Sequence, residues 1–341
     1  MRKQAMYMRW LAALILLAGI SGCAAAPKND PEPEGLYVMQ GNGAPASVRV
    51  TNQSGTFTVE NRNMPDEVDR AQYYLLDIAE YPPDRLAISV LMERAGTLEA
   101  LAYKDIAGDA DLAAFGLSAP QATLAVTYAD GSAATLLVGN TAEESGTYCM
   151  QAGGERIYLV ESTKLHFFFY DALQFLDKAV TAAIPQSENV TMELDGSLYE
   201  QGILLQFTAR DAGAAQAAFD SVILQPRQAP LSEEVLEPLQ SVFGLRASRI
   251  VCRTTGADGL LEAYGLDAPY CRLRVYSAEG DGFTLRMTEP DGTGHAYLLR
   301  EGVPFIYEVS AEQLPWLAVR LEHMTGELPF LQEDAFEQML A

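Results

Sequence analysis

Few residues in this sequence have a type and a spacing that predict a specific chemistry, and the clearest of them is Cys23. Three positive residues, Arg2, Lys3 and Arg9, precede an apolar stretch over 10–20 that is too short to span a bilayer as a helix. Ile-Ser-Gly stands directly before the cysteine. An apolar stretch of signal-peptide length is thus followed by two small residues and a thiol.

In order and spacing these residues resemble the lipobox of bacterial lipoproteins. The resemblance implies a signal peptide over 1–22, attachment of a diacylglyceryl group to the Cys23 thiol and cleavage just before Cys23. Small residues leave room for the peptidase beside the bond that it cuts. The tether that follows, over 23–35, is rich in Pro and Glu. The alternative is an ordinary secretory signal with a chance cysteine. We expect an extracytoplasmic protein that is lipid-anchored to the cell membrane, with the lipid bilayer as its partner through acylated Cys23.

The charge of the chain excludes one class of partner. With 23 Lys and Arg against 46 Asp and Glu, the formal net charge is −23. An acidic surface repels the phosphates of nucleic acid, and no basic stripe interrupts it, so we predict no nucleic-acid partner. Solubility outside the cell is the ordinary explanation for such a charge, and a cationic partner is an alternative for which no motif argues.

Three further cysteines, Cys149, Cys252 and Cys271, are too sparse for a disulfide framework. No C-x-x-C motif or Cys/His cluster accompanies them, so we predict neither a metal site nor a cofactor. Cys252 and Cys271 fall in segments that we expect to be neighbouring strands, where they could form a disulfide in an oxidising compartment. The alternative is that they are reduced thiols, packed as small hydrophobic side chains.

No motif in the sequence predicts catalysis. There is no G-x-S-x-G, no Walker loop and no H-E-x-x-H. We expect His166, His295 and His323 to be packed or surface side chains, and Asp109 and Asp111 to begin a helix rather than to bind calcium. The prediction is a protein that is not an enzyme, and a hydrolase with dispersed carboxylates is the less favoured alternative.

Four tyrosines are candidates for a binding surface: Tyr148, Tyr158, Tyr297 and Tyr307. They recur at matching places in two similar segments, within predicted strands. Exposed on one face, they could form a platform for a polymer or a peptide. The alternative, which we favour, is that they are half-buried sheet residues with hydroxyl groups at the rim. The nearby loop 289–294, "EPDGTG", is interpreted as a hairpin turn rather than as a ligand loop.

The stretch 165–176, "LHFFFYDALQFL", carries more aromatic residues than one face of a helix can bury. We predict a helix here that packs on the first of two sheets. Its surplus aromatic residues make Phe168 and Phe169 candidates for a partner-binding surface. Alternatively, residues 167–170 reach the second repeat or the hinge near Pro185, and so fix the two repeats relative to each other.

The elements that must position these residues come from an internal repeat. Residues 112–165 align without a gap with residues 261–314, which lie 149 positions later. About a third of the aligned positions are identical, against about one in twenty by chance. Each copy predicts a helix that ends at Gly116 or Gly265, then four strands and a closing helix.

The predicted fold class is α+β, with two tandem duplicated units over 36–180 and 186–330. Each unit contains an antiparallel β-meander sheet packed with two or three helices. The closing helix would begin near Ser162 in the first unit and near Ser310 in the second, where Ser310 and Gln313 have capping-box spacing.

The motif order resembles one bacterial family. A strand pair and a helix precede "Y/F-G-L-x-x-P", a strand, "D/E-G", "LLVGN" and "IYLV", as in the domain-of-unknown-function family 4340, which often occurs in membrane-anchored proteins and lipoproteins. The resemblance covers most of the chain and is clearest over 112–160. At 287–289, "MTE" replaces the "VGN" of the first copy. Relatives of this family are encoded beside ABC-transporter genes, which implies an accessory role at a membrane complex. The family has no established catalytic residues that could be assigned to positions of this sequence.

These observations favour a membrane-anchored extracytoplasmic lipoprotein that is a non-catalytic scaffold or accessory subunit of an envelope complex, with an envelope protein as its partner. The alternative is a lipoprotein that binds a ligand or a cell-wall polymer at a site between the two repeats.

Overall fold

The fold is given by a computed structural model, which describes residues 35–41, 43–62, 72–106, 109–142, 146–183, 189–209, 219–255, 258–280 and 282–331. Cys23, the predicted signal peptide and Pro185 lie outside these residues. Within the described ranges, no helix is both long enough and apolar enough to cross a membrane. The described residues from Tyr37 onward belong to one compact unit.

The first half of the chain, up to residue 183, is dominated by one large antiparallel sheet, the first sheet. Apolar residues alternate with polar ones along its central strands, so one face of each strand is buried. The strands of this half are β1 (Tyr37–Gln40), β2 (Pro45–Asn52), β3 (Gly55–Asn61), β4 (Tyr73–Leu75), β5 (Thr97–Glu99), β6 (Ala102–Asp105), β7 (Ala122–Tyr128), β8 (Ala133–Thr141), β9 (Gly146–Gln151) and β10 (Arg156–Glu161). The sheet order is β4-β3-β2-β7-β8-β9-β10-β6, and β1 pairs with β5.

The second half, from residue 189, forms the second sheet. Its strands are β11 (Asn189–Asp195), β12 (Ile203–Ala209), β13 (Phe219–Gln225), β14 (Ala229–Pro230), β15 (Arg249–Arg253), β16 (Cys271–Ser277), β17 (Gly282–Met287), β18 (His295–Arg300) and β19 (Phe305–Ser310). Their order is β14-β13-β12-β11-β16-β17-β18-β19-β15. With nineteen strands and few helical residues in its described part, the chain has a sheet-rich α+β fold.

The two sheets have matching strand orders. In the first, β7 to β10 lie between β2 and the edge strand β6, and in the second, β16 to β19 lie between β11 and the edge strand β15. Strands β7, β9 and β10 begin 149 positions before β16, β18 and β19. The pairing keeps this offset, since Leu136 pairs with Gln151 and Leu285 pairs with Arg300. Two residues that lie 149 positions apart are called counterparts below.

The helices of the described part are short: α1 (Arg85–Gly96), α2 (Asp109–Ala114), α3 (Leu236–Gln240), α4 (Leu260–Ala263) and α5 (Leu321–Met324). Asp84 caps α1, because its Oδ1 accepts from the backbone N–H groups of Leu86 and Ala87 at 3.1 Å. Gly116 and Gly265 have φ angles of 74° and 68°. The left-handed conformation predicted at these two glycines is therefore confirmed.

The closing helices predicted near Ser162 and Ser310 are wrong. The chain forms 3₁₀ turns there instead: Ser162–Lys164, His166–Phe169 and Ala172–Phe175 in the first half, and Ala311–Gln313 and Pro315–Ala318 in the second. The Asn52 amide donates to the carbonyl oxygens of Phe168 and Tyr170 at 2.9 and 2.8 Å, which takes them out of helical hydrogen bonding. The Ser310 side chain makes no capping bond, and Pro315 lacks the N–H that a continuing α-helix needs.

The two sheets share one hydrophobic core. Their inner faces contribute buried side chains from both halves, including Val50, Leu124, Leu136, Leu273, Leu285 and Leu298. On the outer faces, two small clusters include residues of α2 and α4 and are centred on Leu117, Met150 and Ile157 and on Leu266, Leu299 and Ile306. Each sheet therefore has a broad face on the shared core and a narrower covered patch on the opposite face.

A short segment after the first sheet joins it to the second through buried hydrogen bonds. The Val180 N–H donates to the Leu245 carbonyl at 2.8 Å. The hydroxyl of Thr181 is buried; it donates to the Val242 carbonyl at 2.6 Å and accepts from the Leu245 N–H at 2.9 Å. These contacts between 180–181 and 242–245 are called the seam.

The aromatic stretch 165–176 has contacts in both halves. The turn His166–Phe169 contacts α1, β2 and β7 of the first half. The next turn, Ala172–Phe175, contacts β15 of the second sheet. This second turn and the seam therefore link the halves, and a link through residues 167–170 stays a prediction.

Candidate functional site

A concave site lies at each end of α4. The tyrosine pocket, about 450 Å³ in volume, is lined by Tyr264, Tyr270, Glu289, Asp291, His295 and Tyr297, among others. The junction cleft, about 680 Å³ in volume, is lined by Tyr81, Asp258, Arg286, Arg300 and Glu301, among others. Both volumes fall in the range of small-molecule sites.

Tyr264 reaches the tyrosine pocket because α4 ends just before it. The Leu266 N–H donates to the Leu261 carbonyl at 2.7 Å, and Gly265 turns the chain in the left-handed conformation. The ring of Tyr264 then lies against that of Tyr297 in β18, with centroids 4.8 Å apart and an interplanar angle of 79°. Two aromatic rings therefore meet nearly at a right angle.

Tyr270 supplies a third ring, just before β16. Its carbonyl oxygen accepts from the Leu198 N–H at 2.9 Å, which fixes the backbone at this point. Burial raises the pKa of Tyr270, and burial together with the nearby Cys252 raises the pKa of Tyr264. Both phenols therefore keep their protons at neutral pH, and their rings present neutral π faces.

Two carboxylates line the pocket from the loop after β17. Oδ1 of Asp291 accepts from the Thr293 N–H at 2.8 Å, from the Thr293 hydroxyl at 2.6 Å and from the His295 N–H at 3.1 Å. These hydrogen bonds lower the pKa of Asp291, which stays ionised at neutral pH. Glu289, two residues earlier, is exposed. The loop thus brings negative charge next to three aromatic rings.

The junction cleft is shared by the two halves. Tyr81 comes from the first half and the other lining residues come from the second. Arg286 donates to Oε1 of Glu301 at 2.8 Å, and Arg300 donates to the carbonyl of Val180 in the seam at 2.8 Å. The two guanidinium groups that line the junction cleft are therefore held by oxygen acceptors.

A profile of one protein family matches more than half of the chain. The family is described as a domain of unknown function, DUF4340, and the match covers residues 77–269. The chain belongs to the DUF4340 family. Among curated proteins and among solved structures, none was found that matches it. The family resemblance of the motif order is thereby confirmed.

The matched span covers parts of both sheets of this DUF4340 protein. It begins in the 3₁₀ turn Leu76–Ile78 and ends just before β16. It therefore includes Tyr264, whereas Glu289 and Asp291 follow it. One span that crosses from the first sheet to the second does not delimit two copies of the family unit.

The four tyrosines predicted as a candidate surface lie on two different faces. Tyr148 pairs with Leu159 across β9 and β10. Because successive residues of a strand point to opposite faces, Tyr158 lies on the face away from Tyr148. In the second sheet, Tyr297 packs on the outer cluster and Tyr307 is buried in the shared core. These four rings do not form one platform, and of them Tyr297 lines the tyrosine pocket.

The possible disulfide between Cys252 and Cys271 is contradicted. Cys252 lies in β15 and Cys271 in β16, the next strand along the chain, but β15 crosses to the edge of the sheet and three strands separate the two. Strands four places apart are about 19 Å from each other, whereas a disulfide joins Cα atoms within about 7 Å. Both cysteines are free, as is Cys149. Burial raises the thiol pKa of Cys149 and of Cys271, which makes them unreactive at neutral pH.

The other predicted residues lie apart from the tyrosine pocket, with one exception. Phe168 is fully buried in the core, whereas Phe169 is 37% exposed. His166 Nδ1 lies 2.7 Å from the Thr163 carbonyl oxygen. His295 is the exception, since it lines the pocket. In the described part of the chain, no group of His, Cys, Asp and Glu side chains is arranged to hold a metal ion.

Sequence reasoning missed most of the tyrosine pocket. Tyr264 and Tyr270 lie well before the loop 289–294 in the chain, and only the pairing of β16, β17 and β18 brings them to it. The loop is a turn, as predicted, but the turn also carries the carboxylates. The feature that could have pointed to the pocket is the departure at 287–289, where Glu289 stands in place of Asn140.

Proposed function

We propose that this DUF4340 protein is an extracytoplasmic lipoprotein, anchored through acylated Cys23, that works as a non-catalytic scaffold or accessory subunit of an envelope complex. The observation that carries the proposal is that the two sheets share one core and are joined by the buried hydrogen bonds of Thr181. Such a body presents a fixed surface, which is what a scaffold offers its partner. A tether over 23–35 would reach no more than about 40 Å, so the proposed partner is an envelope protein near the membrane.

We propose further that the two halves are tandem duplicated units over 36–180 and 186–330. The matching strand orders and the constant offset of 149 positions in strand starts and in pairing support this origin. The gapless alignment of 112–165 with 261–314 supports it independently.

The anchor is tested by Cys23→Ser, which removes the thiol that would accept the lipid. The variant should leave the membrane fraction or accumulate uncleaved, whereas Cys252→Ser should stay in the membrane fraction at its normal mass. Fractionation followed by intact mass measurement separates these results. A processed, membrane-bound Cys23→Ser protein would contradict the anchor.

The partner is tested by crosslinking in native membranes, with mass spectrometry of the captured proteins. An envelope protein should be captured by the natural chain. The capture should be lost for any Cys23→Ser chain that leaves the membrane fraction, because the released chain no longer meets its partner. If the natural chain captures no envelope protein, the scaffold role is wrong.

A second candidate function is ligand binding in the junction cleft. The observation that favours it is that Tyr81 from the first half and Arg286 from the second line one cavity. Soluble cell-wall fragments should then raise the melting temperature of the natural chain but not that of Arg286→Gln. The matched control is Arg272→Gln, in the neighbouring strand β16, which should respond like the natural chain. No change for the natural chain would contradict this function.

A further inference from the structure

We propose that the tyrosine pocket binds an organic cation, through the ammonium group of a small amine. This inference goes beyond the scaffold role and does not depend on the anchor at Cys23. It rests on the rings and the charges that meet in one cavity of about 450 Å³.

The aromatic rings favour a cation. Tyr264 and Tyr297 meet at 79° with their centroids 4.8 Å apart, so they form two walls of a corner, and Tyr270 lines the same cavity. The face of an aromatic ring is negative, and a cation placed over it is attracted more strongly than a neutral group of the same shape. Several ring faces around one cavity are the arrangement that surrounds an alkylammonium group.

The charges around the rings have the matching sign. Glu289 and Asp291 line the pocket, and the hydrogen bonds of Asp291 keep its carboxylate ionised and in place. Nearby positive groups have partners within the protein. Arg249 binds both oxygens of Glu308, at 3.0 and 2.7 Å. Arg320 donates to main-chain carbonyl oxygens at 2.7 and 3.3 Å and also hydrogen-bonds the side chain of Tyr270. The net charge of −23 adds a long-range attraction for cations.

A neutral sugar is the other ligand that stacks on tyrosine. It would lie flat on one ring and donate hydroxyl groups to the carboxylates. A neutral ligand, however, gains no net attraction of charge from an acidic pocket, whereas a cation does. Perpendicular rings with carboxylates beside them suit a compact charged head group better. The proposal therefore commits to the ammonium group, and sugar binding is an outcome of the test.

The first sheet provides an internal control. It has paired aromatic rings at the same place, with centroids 4.5 Å apart. The counterparts of Glu289 and Asp291, however, are Asn140 and Ala142, which carry no charge. The rings are thus common to both sheets, whereas the two described positions that match Glu289 and Asp291 carry no carboxylate in the first sheet. Glu143 and Glu144, which follow Ala142, lie outside the described residues.

The test compares choline with its neutral isostere 3,3-dimethylbutan-1-ol, by calorimetric titration of the full chain. Choline should bind at least about fivefold more tightly than the isostere, and added salt should weaken its binding. The proposal is overturned if the two bind equally, if choline gives no binding heat, or if a neutral sugar such as glucose binds more tightly than choline.

The charge is tested by Glu289→Gln, which keeps the shape of an exposed side chain and removes its charge. Choline affinity should fall about threefold to tenfold, since the carboxylate no longer attracts the ammonium group. Glu155→Gln, an exposed glutamate of the first half, should leave choline affinity unchanged. Equal affinities of the natural chain and Glu289→Gln would contradict the proposal.

The rings are tested by two variants of Tyr297. Tyr297→Phe keeps the π face and should keep choline binding, whereas Tyr297→Leu should lose it by about tenfold. The counterpart variant Tyr148→Leu should bind choline as the natural chain does. A folded Tyr297→Leu protein with natural affinity would overturn the role of the rings. If Tyr297→Leu does not fold, Tyr297→Phe decides, since loss of binding there would mean that the hydroxyl rather than the ring face holds the ligand.

Discussion

The corner around Tyr148 in the first sheet and the corner around Tyr297 in the second lie at the same place in matching strand orders, yet they are built differently. In both, a ring that follows a short helix meets a tyrosine edge-on: Phe115 meets Tyr148 at 4.5 Å, and Tyr264 meets Tyr297 at 4.8 Å. Because the aromatic pair is common to both corners, the neighbouring residues must determine what each corner does.

Tight contacts fill the first corner. A Cβ on Gly139 would overlap the carbonyl oxygen of Phe115, and the Asn140 N–H donates to that same oxygen at 2.9 Å. A Cβ on Gly146 would lie 2.8 Å from Cγ of Leu159. Strand β8 bulges at this point and then rejoins β9. Among the described residues, backbone and side chains thus approach each other closely at this corner.

Larger or charged residues occupy the second corner. The counterparts of Gly139, Asn140, Gly146 and Leu159 are Thr288, Glu289, His295 and Glu308. Strand β17 ends at Met287, and the loop stays attached to β18 because the Thr288 hydroxyl accepts from the Tyr297 N–H at 2.9 Å. The difference teaches that a few side chains that prevent close approach are enough to turn a packed corner of a sheet into a pocket.

Exchanging the residues that distinguish the two corners should change the free energy of unfolding the most. Gly139→Thr would press a side chain against the Phe115 carbonyl and should lower the free energy of unfolding by about 3 kcal/mol, because the backbone must move. Thr288→Gly loses one hydrogen bond and adds backbone freedom, and should cost about 1–2 kcal/mol. Urea unfolding, followed by the fluorescence of the buried Trp316, measures both changes. Equal losses would show that the first corner is not the tighter one.

A milder comparison uses the two left-handed glycines. Gly116→Ala and Gly265→Ala should each cost about 1 kcal/mol, because φ is positive at both positions. At Gly116 the new Cβ would also overlap the Asn140 side chain, whereas at Gly265 the nearest atom is Cγ2 of Thr288 at 3.7 Å. The variant at Gly116 should therefore lose about 1 kcal/mol more. The same unfolding measurement tests this order, and a larger loss at Gly265 would reverse the comparison.

Leu159→Ala should have a smaller effect. Leu159 is half-buried and packs over Gly146, so removing its branched end should lower the free energy of unfolding by about 1–2 kcal/mol. Leu159→Met, which keeps the volume, should lose less than half as much. A loss with Leu159→Ala that is no greater than with Leu159→Met would show that the volume of Leu159 does not fill the first corner.

The features that the sequence predicted correctly are local. Gly116 and Gly265 are confirmed because a helix that ends before a turn needs a left-handed residue at that position. The buried residues of α1, including Ile88 and Leu91, lie on one face because a helix repeats every 3.6 residues.

The features that sequence reasoning missed depend on contacts between distant segments. The closing helices were wrong because Asn52, more than a hundred residues away, takes the carbonyl oxygens of Phe168 and Tyr170. The disulfide was wrong because chain order does not reveal that β15 crosses to the edge of the sheet beyond β19. The tyrosine pocket escaped notice because sheet pairing, rather than any motif, gathers its residues.

The smallest expected effect is a difference between the two corners in how the free energy of unfolding depends on pH. Arg249 donates to both oxygens of Glu308 and so lowers the pKa of the Glu308 carboxyl. The ion pair therefore stabilises the folded state above the unfolded glutamate pKa of about 4.3. This stabilisation is lost as the pH falls below that value. Glu308→Gln should therefore cost less than about 1 kcal/mol at pH 7, because Arg249 is largely exposed, and nothing at low pH. The loss with Leu159→Ala should stay constant over the same range, because neither leucine nor alanine carries a titratable side chain. Unfolding curves at several pH values measure both differences. A pH-independent loss with Glu308→Gln would mean that this position stabilises the second corner by packing, as its leucine counterpart does in the first.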